Sequence, residues 1–347
     1  MNLGNKLSST PVLLRLQISV TNLCNFRCLH CYCDKSQKYE PDFKDILNLI
    51  DEANNLGCVH ITLTGGEPFF RKDIMEIIRH ITNKKIKITI LTNGSLLNEE
   101  LINELDNLNV FSIGYSLYGA NYNTYKRFTG ANRDQYNNLI KNIKLILKTK
   151  MALKISSCLT DENIGDIKEM KKFVESLGTS FPYKIDPFLF PGHKLGQDKG
   201  ELACIKGRLT PKKINETSKY FEEYIETNQC KNEKFSSRKL PGRFDSCTCK
   251  HHTLYVNYDG SLGPCPLLLF KEYNIYKKGL INAWKNFLPE IYSQKKEDYP
   301  LKCKNCDSKN CSFCPALNVL ETGNMDTPPD FLCDYAKHLD DLEKLGE

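Results

Sequence analysis

The amino-acid sequence predicts an α/β protein with six parallel strands joined by helical crossovers, followed by a small cysteine-rich region. Three observations lead to this prediction. Strand-like and helix-like segments alternate through the first half of the chain, turn residues and candidate ligands follow the strand-like segments, and the cysteines are concentrated in two regions.

The alternation of segments is regular up to residue 188. Apolar and β-branched runs predict strands at Val12 to Val20, Val59 to Thr64, Ile86 to Leu91, Val110 to Leu117, Ala152 to Cys158 and Phe181 to Phe188. Apolar residues at helical spacing predict helices at Asp42 to Leu56, Lys72 to Thr82, Asn98 to Leu108, Gln135 to Lys148 and Asn163 to Leu177. In a parallel sheet the functional site lies beyond the carboxyl ends of the strands. The loops after the first four strands are therefore expected to form one rim.

Composition sets the outer limits on function. The 48 basic and 42 acidic residues are interspersed, so the net charge of +6 does not indicate a nucleic-acid-binding stripe. The amino terminus lacks a secretion signal, and no apolar run approaches the length of a membrane span. We therefore expect a cytoplasmic protein that contacts neither membrane nor nucleic acid. In that reducing compartment, the clustering of 16 cysteines favours metal binding over disulfides.

Three cysteines with the spacing CxxxCxxC follow the first predicted strand: Cys24, Cys28 and Cys31. A 4Fe-4S cluster normally takes four thiolates, so three would leave one iron open to a small molecule. A structural zinc site is the simpler alternative, but this triplet offers zinc only three ligands. The turn Gly65-Gly66-Glu67-Pro68 follows the second strand. On its own such a turn requires no ligand, but its position after the cysteine loop favours a bound group.

Together these two motifs resemble the radical S-adenosylmethionine (SAM) superfamily. The resemblance implies a TIM-like partial (β/α)6 barrel, open on one side, and a 4Fe-4S cluster on Cys24, Cys28 and Cys31. The open iron would chelate the amino and carboxylate groups of SAM, and reductive cleavage would release a 5'-deoxyadenosyl radical. A flavodoxin- or ferredoxin-type protein would donate the electron.

The resemblance also implies a SAM pocket. His30 would flank adenine, Gly65 and Gly66 would offer backbone to the SAM amino group, and Glu67 would hold the loop or an amino proton. Ser116 would contact ribose and Arg127 the methionine carboxylate, which suits the planar guanidinium. Asn93, in the loop after the third strand, would complete the pocket. Simpler alternatives are packing for His30, a strand-end hydroxyl for Ser116 and a surface cation for Arg127.

The carboxyl-terminal cysteines resemble the SPASM module, an extension of many peptide-modifying radical SAM enzymes. A hairpin is predicted from Leu254 to Gly260, with an Asp-Gly turn. The resemblance implies two auxiliary 4Fe-4S clusters, for a total of three. One would use Cys247, Cys249, Cys265 and Cys314, and the other Cys303, Cys306, Cys311 and Cys333.

Parts of this assignment stay open. The spacings around Cys311 are shorter than those usual in the family, which leaves the pairing uncertain. If Cys247 is not a ligand, its cluster has an open iron. The two CxxC pairs also fit a zinc ribbon. The remaining thiols are expected to be buried and without a metal: Cys58, Cys158, Cys204 and Cys230.

Five regions are therefore expected along the chain. They are an N-terminal extension (1–11), the partial barrel (12–190), a bridging region (191–246) with an amphipathic stretch near Pro211 to Thr227, the auxiliary-cluster domain (247–335) and a C-terminal tail (336–347).

The resemblance makes a ribosomally made precursor peptide the first choice of substrate, receiving a thioether, carbon–carbon or ether crosslink. About a dozen residues precede the first strand, so leader recognition is expected from elsewhere in the chain or from a separate leader-binding protein. A small-molecule cofactor or haem-pathway substrate is the alternative. Sulfatase maturation ranks lower, because Pro266 stands where those enzymes carry an aspartate. A non-catalytic zinc protein would leave the first two motifs unexplained. Candidates for a catalytic acid or base near the rim are Tyr115, Tyr118, Asp161 and Asp186.

Overall fold

The computed structural model describes residues 12–31, 33, 38–189, 207–220, 244, 247–294, 301–304, 306–311 and 313–345. The predicted extension (1–11), most of the bridging region and the thiols of Cys204 and Cys230 lie outside the described residues. Within the described ranges, no helix is both long and apolar enough to cross a membrane.

A nine-stranded sheet in the order β6-β5-β4-β3-β2-β1-β7-β8-β9 forms the centre of the fold. Its strands are β1 (Arg15–Ser19), β2 (His60–Thr64), β3 (Lys87–Thr92), β4 (Ser112–Ser116), β5 (Ala152–Cys158), β6 (Lys184–Asp186), β7 (Thr253–Val256), β8 (Leu262–Cys265) and β9 (Leu268–Phe270). Strands β1 to β6 pair in parallel with their sequence neighbours. This confirms the predicted α/β fold with an unclosed parallel barrel sheet.

Helices connect these strands and cover one face of the sheet. In the barrel they are α1 (Phe43–Asn55), α2 (Ile74–Asn83), α3 (Glu99–Asn107), α4 (Tyr122–Thr129), α5 (Arg133–Ile146) and α6 (Ile167–Ser176). Beyond it lie α7 (Pro211–Thr217), α8 (Ile275–Lys278), α9 (Leu280–Asn282), a π-helical turn (Ala283–Phe287), α10 (Leu288–Tyr292), α11 (Leu301–Lys304), α12 (Pro315–Thr322) and α13 (Asp330–Leu345). Short 3₁₀ turns occupy Pro68–Phe70, Ile164–Asp166, Ser218–Tyr220 and Thr248–His251.

The helix-facing side of the strands is apolar, as the barrel predicts. Ile18, Ile61, Ile90 and Ile113 are all fully buried in one continuous core. Alternate residues of the same strands are polar or charged and face the opposite side, because successive side chains of a strand point to opposite faces. This alternation leaves one face of the sheet for ligands.

The structure differs from the sequence prediction at three places. Helix α4 was not predicted; Asn121 caps its start and Gly130 ends it with φ +74°. The predicted hairpin forms, but its first strand, β7, pairs in parallel with β1, so the hairpin extends the barrel sheet. The amphipathic stretch from Pro211 is helical only to Thr217, with a 3₁₀ turn to Tyr220, and residues 221–227 lie outside the described part.

Candidate functional site

The loop with the three cysteines lies at the carboxyl end of β1 and is held by the end of α4. The backbone N–H groups of Arg27 and Leu29 donate to the carbonyls of Thr129 and Phe128, each at 2.9 Å. Within the loop, the Phe26 N–H donates to Cys24 Sγ at 3.3 Å. Hydrogen bonds from N–H groups to cysteine sulfur are typical of thiolates that ligate iron–sulfur clusters.

The Gly-Gly-Glu-Pro turn packs directly against the backbone that leads into the cysteine loop. A Cβ on Gly65, where φ is +144°, would lie 2.3 Å from the Thr21 carbonyl oxygen. A Cβ on Gly66 would lie 2.2 Å from that of Leu23. Only glycine fits at these two positions, because the backbones of the two loops are in direct contact there. The Gly66 N–H donates to Thr21 at 2.8 Å. Gly65 and Gly66 could therefore bind a SAM amino group through their carbonyl oxygens.

Glu67 is fully buried and joins two loops of the rim. One carboxylate oxygen accepts from Thr92 Oγ1 at 2.7 Å and from the Phe69 N–H at 3.1 Å. The other accepts from the Asn93 N–H at 2.8 Å. Burial raises the pKa of Glu67 to about 7, against the effect of these hydrogen bonds. The expected loop-holding role of Glu67 agrees with this geometry.

Asn93 connects the loop after β3 with the cysteine loop. Its Nδ2 donates to Asn25 Oδ1 at 2.9 Å and lies 3.9 Å from Cys24 Sγ. Ser95 donates its hydroxyl to Asn93 Oδ1 and accepts from Asn25 Nδ2, at 2.7 and 2.8 Å. Sequence reasoning selected Asn93 but missed Asn25 and Ser95. Asn25 lies between two predicted ligands, which is the signal that could have found it.

Three aromatic rings pack together beside the cysteine loop. The His30 ring lies 4.6 Å from Tyr118 and 4.9 Å from Phe128, and the Tyr118 and Phe128 rings stack at 4.5 Å. Burial raises the pKa of Tyr118 well above its usual value, and the nearby Ser116 hydroxyl acts in the opposite direction. The structure thus brings His30, Tyr118 and Ser116 together at one end of the strands.

Two buried phenols lie beneath this rim. Tyr115 is 1% exposed and Tyr125 is fully buried, and neither hydroxyl has a hydrogen-bond partner among the described residues. The Tyr125 ring lies 6.2 Å from that of Phe26, edge to face. Burial raises the pKa of Tyr125, and the thiols of Cys28 and Cys24 raise it further. Buried hydroxyl groups normally have a hydrogen-bond partner. A cluster with sulfide ions, or another polar group bound at the cysteine loop, would give the Tyr115 and Tyr125 hydroxyls such a partner.

Three of the predicted residues lie in other surroundings. Arg127 forms an ion pair with Glu162 at 3.7 Å, and its side chain is 57% exposed. Asp161 forms an exposed ion pair with Lys213 at 2.5 Å. Asp186 accepts a hydrogen bond from the Phe188 N–H at 3.0 Å. None of these contacts joins the network of Glu67 and Asn93.

The carboxyl-terminal cysteines fall into two groups in space. Cys303, Cys306, Cys311 and Cys333 line one cavity of about 140 Å³. Burial and the other three thiols raise the pKa of Cys311 to about 12. In the second group, burial raises the pKa of Cys265 to about 12, and the nearby thiols of Cys314 and Cys249 contribute. Tyr292 lies beside Cys247, Cys265 and Cys249.

These groups match the two sets that the sequence suggests. In the described part of the chain, no three His, Cys, Asp or Glu side chains lie close enough together to share one metal ion. A 4Fe-4S cluster bonds each thiolate to a different iron, so its ligands are more widely spaced. The chemistry of both sets, four thiols each, therefore fits such a cluster.

Comparison with known proteins places this site in a family. Residues 18–174 match the family model of the Radical SAM superfamily. The AdoMet-dependent heme synthase of Methanosarcina barkeri is 25% identical over 324 residues, which cover 87% of this chain and 90% of that protein. The probable GTP 3',8-cyclase of Thermococcus kodakarensis is 33% identical over 168 residues, covering 47% of this chain and 54% of that protein.

A solved structure shares the fold over almost the whole chain. The crystal structure of Streptococcus suis SuiB bound to precursor peptide SuiA superposes with a TM-score of 0.69 at 19% identity, covering 95% of this chain and 77% of SuiB. The family match covers the strands and loops that carry the cysteine triplet and the Gly-Gly-Glu-Pro turn. The matched region, residues 18–174, is therefore a Radical SAM domain.

Proposed function

We propose that this radical SAM enzyme abstracts hydrogen from a ribosomally made precursor peptide and installs an oxidative crosslink, of thioether, carbon–carbon or ether type. The observation that carries the proposal is the fold similarity to peptide-bound SuiB, which extends over 95% of the chain and thus through the cysteine-rich region. A bound 4Fe-4S cluster would supply the electron that cleaves SAM into methionine and a 5'-deoxyadenosyl radical.

For this reaction the chain must hold SAM and shield it from water. We assign the cluster ligands to Cys24, Cys28 and Cys31. The carbonyls of Gly65 and Gly66 would accept from the SAM amino group, because the Gly66 N–H is already bonded to Thr21. His30 and Ser116, which Tyr118 joins, would line the nucleoside side. Glu67 and Asn93 would act by fixing the loops around the cofactor.

Arg127 would bind the methionine carboxylate of SAM, and for this it must break its ion pair with Glu162. The pair is exposed and its atoms are 3.7 Å apart, so it stabilises little, and a carboxylate ligand could replace Glu162. Tyr115, Tyr118, Asp161 and Asp186 stay candidates for an acid or base, with Tyr118 nearest to the predicted pocket residues.

The two carboxyl-terminal cysteine groups would hold auxiliary 4Fe-4S clusters in a SPASM-like domain over residues 247–335. Forming a crosslink removes two hydrogens from the peptide, one as deoxyadenosine and one as a proton with an electron to be accepted. Auxiliary clusters suit that electron exit. A flavodoxin- or ferredoxin-type donor and a separate leader-binding protein would complete the system, and thiols that ligate iron would suit the reducing cytoplasm.

A haem-pathway or other small-molecule substrate is the second candidate. It is supported by the heme synthase of Methanosarcina barkeri, which this chain matches over 90% of that protein's length. Both candidates share SAM cleavage and auxiliary clusters. They differ in the molecule that loses hydrogen.

The test begins with anaerobic reconstitution of the full chain, iron and sulfide analysis, and an assay for 5'-deoxyadenosine with SAM and dithionite. We expect about twelve irons per chain and formation of deoxyadenosine. Candidate peptides encoded beside the gene are then added, and mass spectrometry is used to detect the loss of two hydrogens. In parallel, a porphyrin with propionate side chains is added, and loss of carbon dioxide from it would favour the second candidate.

The control variant is Cys28→Ala, which should abolish deoxyadenosine while the auxiliary irons remain. Zinc in place of iron, with no SAM cleavage in the unaltered chain, would overturn the proposed function. Deoxyadenosine that increases with porphyrin but with no peptide would overturn the peptide assignment alone.

A further inference from the structure

A polar patch occupies the amino-terminal end of the barrel sheet, opposite to the cysteine rim. His60 Nε2 lies 2.8 Å from Thr89 Oγ1, which lies 2.8 Å from Ser112 Oγ. These contacts cross β2, β3 and β4 on the face that the helices leave uncovered. Thr89 is 3% exposed and Ser112 is fully buried, so the hydroxyls form a buried floor.

Three cations surround this floor. The strand register places Arg15 beside His60 and His60 beside Lys87. The ammonium groups of Lys87 and Lys154 lie 4.9 and 5.8 Å from the centre of the Phe111 ring. Both lysines therefore lie around the Phe111 ring, which keeps 36% of its surface exposed, and Lys154 also lies 4.5 Å from the centre of the Phe181 ring.

Within the described ranges, no carboxylate forms an ion pair with Arg15, Lys87 or Lys154. Burial lowers the pKa of Lys154, and the charge of Arg15 lowers it further. Like charges held together without a counter-charge favour the binding of an anion.

From this placement we propose that the amino-terminal end of the barrel sheet binds a phosphate-bearing anion, through Arg15, Lys87 and Lys154 over the Thr89–Ser112 floor. The guanidinium of Arg15 can bind two oxygens of a tetrahedral anion, and each lysine adds a point charge. The Thr89 and Ser112 hydroxyls bond to each other and to His60, so the floor beneath the three cations carries no negative charge that would repel the anion.

This site does not overlap the SAM pocket. Arg15 begins β1, whereas Cys24 follows its end, and a five-residue strand spans roughly 16 Å at about 3.3 Å per residue. The site is thus independent of the proposed function and needs neither cluster nor SAM.

The test is isothermal titration of the reconstituted full chain with inorganic phosphate, pyrophosphate and adenosine monophosphate in a chloride buffer. We expect saturable binding to one site. The double variant Lys87→Met/Lys154→Met keeps the apolar stems over Phe111 but removes both charges. It should weaken binding by about tenfold or more, because charge-assisted hydrogen bonds are lost.

The matched control is Lys72→Met/Lys168→Met, which removes two exposed lysines elsewhere on the barrel and should leave binding unchanged. Lys87→Arg/Lys154→Arg, which keeps the charge, should retain binding and shows that the strands still fold. Tighter binding of adenosine monophosphate than of phosphate would identify an ester ligand, and equal binding a free phosphate. The proposal would be overturned if the heat of titration did not reach saturation. It would also be overturned if the control double variant lost as much affinity as Lys87→Met/Lys154→Met.

Discussion

The buried carboxylate of Glu67 accepts a hydrogen bond from the backbone N–H of Asn93 at 2.8 Å, which ties the loop after β2 to the loop after β3. Asn93 in turn places Nδ2 3.9 Å from Cys24 Sγ. Through these two residues, a loop that contains no cysteine is fixed relative to the first cysteine of the triplet. The rim is therefore one connected structure.

Glu67→Gln should change how stability depends on pH. The folded pKa of Glu67 is about 7 and the unfolded value is 4.5, so the folded protein binds the proton more tightly. Its contribution to stability is complete below pH 4.5 and is lost as pH rises through 7. Denaturant unfolding of the cluster-free protein at pH 5 and pH 8 measures the decrease in the free energy of unfolding. The glutamine variant should not show this decrease, because glutamine does not titrate. An identical pH dependence in both proteins would contradict the burial argument.

Gly66→Ala should displace the cysteine loop. The new Cβ would lie 2.2 Å from the Leu23 carbonyl oxygen, which is backbone and cannot rotate away. Overpacking of this kind costs about 1–3 kcal/mol. The midpoint of thermal unfolding and the iron content after reconstitution should both fall. Gly165→Ala is the matched control, because its Cβ would meet nothing within 4 Å. Equal effects in the two variants would show that the close approach is unimportant.

The strand order and the position of the rim could be predicted because each βα unit is local in sequence and strongly periodic. Ala152–Cys158 forms over its predicted range, Lys87–Thr92 is shifted by one residue from its predicted range, and the other four predicted strands form over shorter ranges. The partner of β7 could not be predicted, since pairing with β1 depends on contacts across most of the chain. Helix α4 was missed because its eight residues are rich in Tyr, Thr and Asn, and its ends are set by caps.

For the site, ligand types could be predicted but not the contacts between them. The resemblance to the SPASM module implied which thiols belong together, and Cys303, Cys306, Cys311 and Cys333 line one cavity. The assignment of Arg127 rested on the family resemblance and on the residue type. A sequence gives no sign that Glu162 lies 3.7 Å away, because that contact arises from the packing of helix α4 against the loop after β5.

Cys311→Ala should remove about four irons from the reconstituted protein, because Cys311 shares a cavity with three other thiols. Cys58→Ala is the control. Cys58 is 4% exposed, and its thiol donates to the His60 carbonyl at 3.4 Å, away from both groups. Iron analysis and electron paramagnetic resonance of the reduced proteins make the comparison. Loss of iron from the Cys58 variant to the same extent would mean that misfolding, not ligand removal, explains the result.

Arg208→Ala should destabilise the protein strongly. Its guanidinium forms two hydrogen bonds with Glu321, at 2.8 and 3.0 Å, and the two side chains are only 10% and 12% exposed. The alanine variant leaves Glu321 buried without its partner, which costs about 3–5 kcal/mol. Arg208 also donates to the Leu189 carbonyl at 3.0 Å, so this pair joins the end of the barrel to α12.

The control for that pair is Lys344→Ala. Lys344 lies 3.0 Å from Asp341, but both side chains are more than two-thirds exposed, so the free energy of unfolding should hardly change. Urea unfolding of the cluster-free proteins gives both values. The double variant Arg208→Met/Glu321→Leu should regain most of the lost stability, since it removes the unpaired charge. A double variant as unstable as Arg208→Ala would show that the pair is needed for packing instead.

His60→Gln should change the pH dependence in the direction opposite to Glu67→Gln. Burial lowers the pKa of His60 to about 4, and the charges of Lys154, Arg15 and Lys87 contribute, whereas the unfolded value is 6.5. Its contribution to stability is present above pH 6.5 and is lost as pH falls through 4, because only the unfolded chain takes up the proton. The glutamine variant should therefore lose less stability than the unaltered protein between pH 7 and pH 4.5.

Adding phosphate should change the pKa of His60 as well. An anion among the three cations would offset their repulsion of a protonated imidazole and so raise the pKa of His60. The difference between the unaltered protein and His60→Gln should then shrink when unfolding is repeated in saturating phosphate, compared with chloride at equal ionic strength. If the difference is the same in both salts, the anion does not bind next to His60, even where calorimetry detects binding elsewhere on the chain.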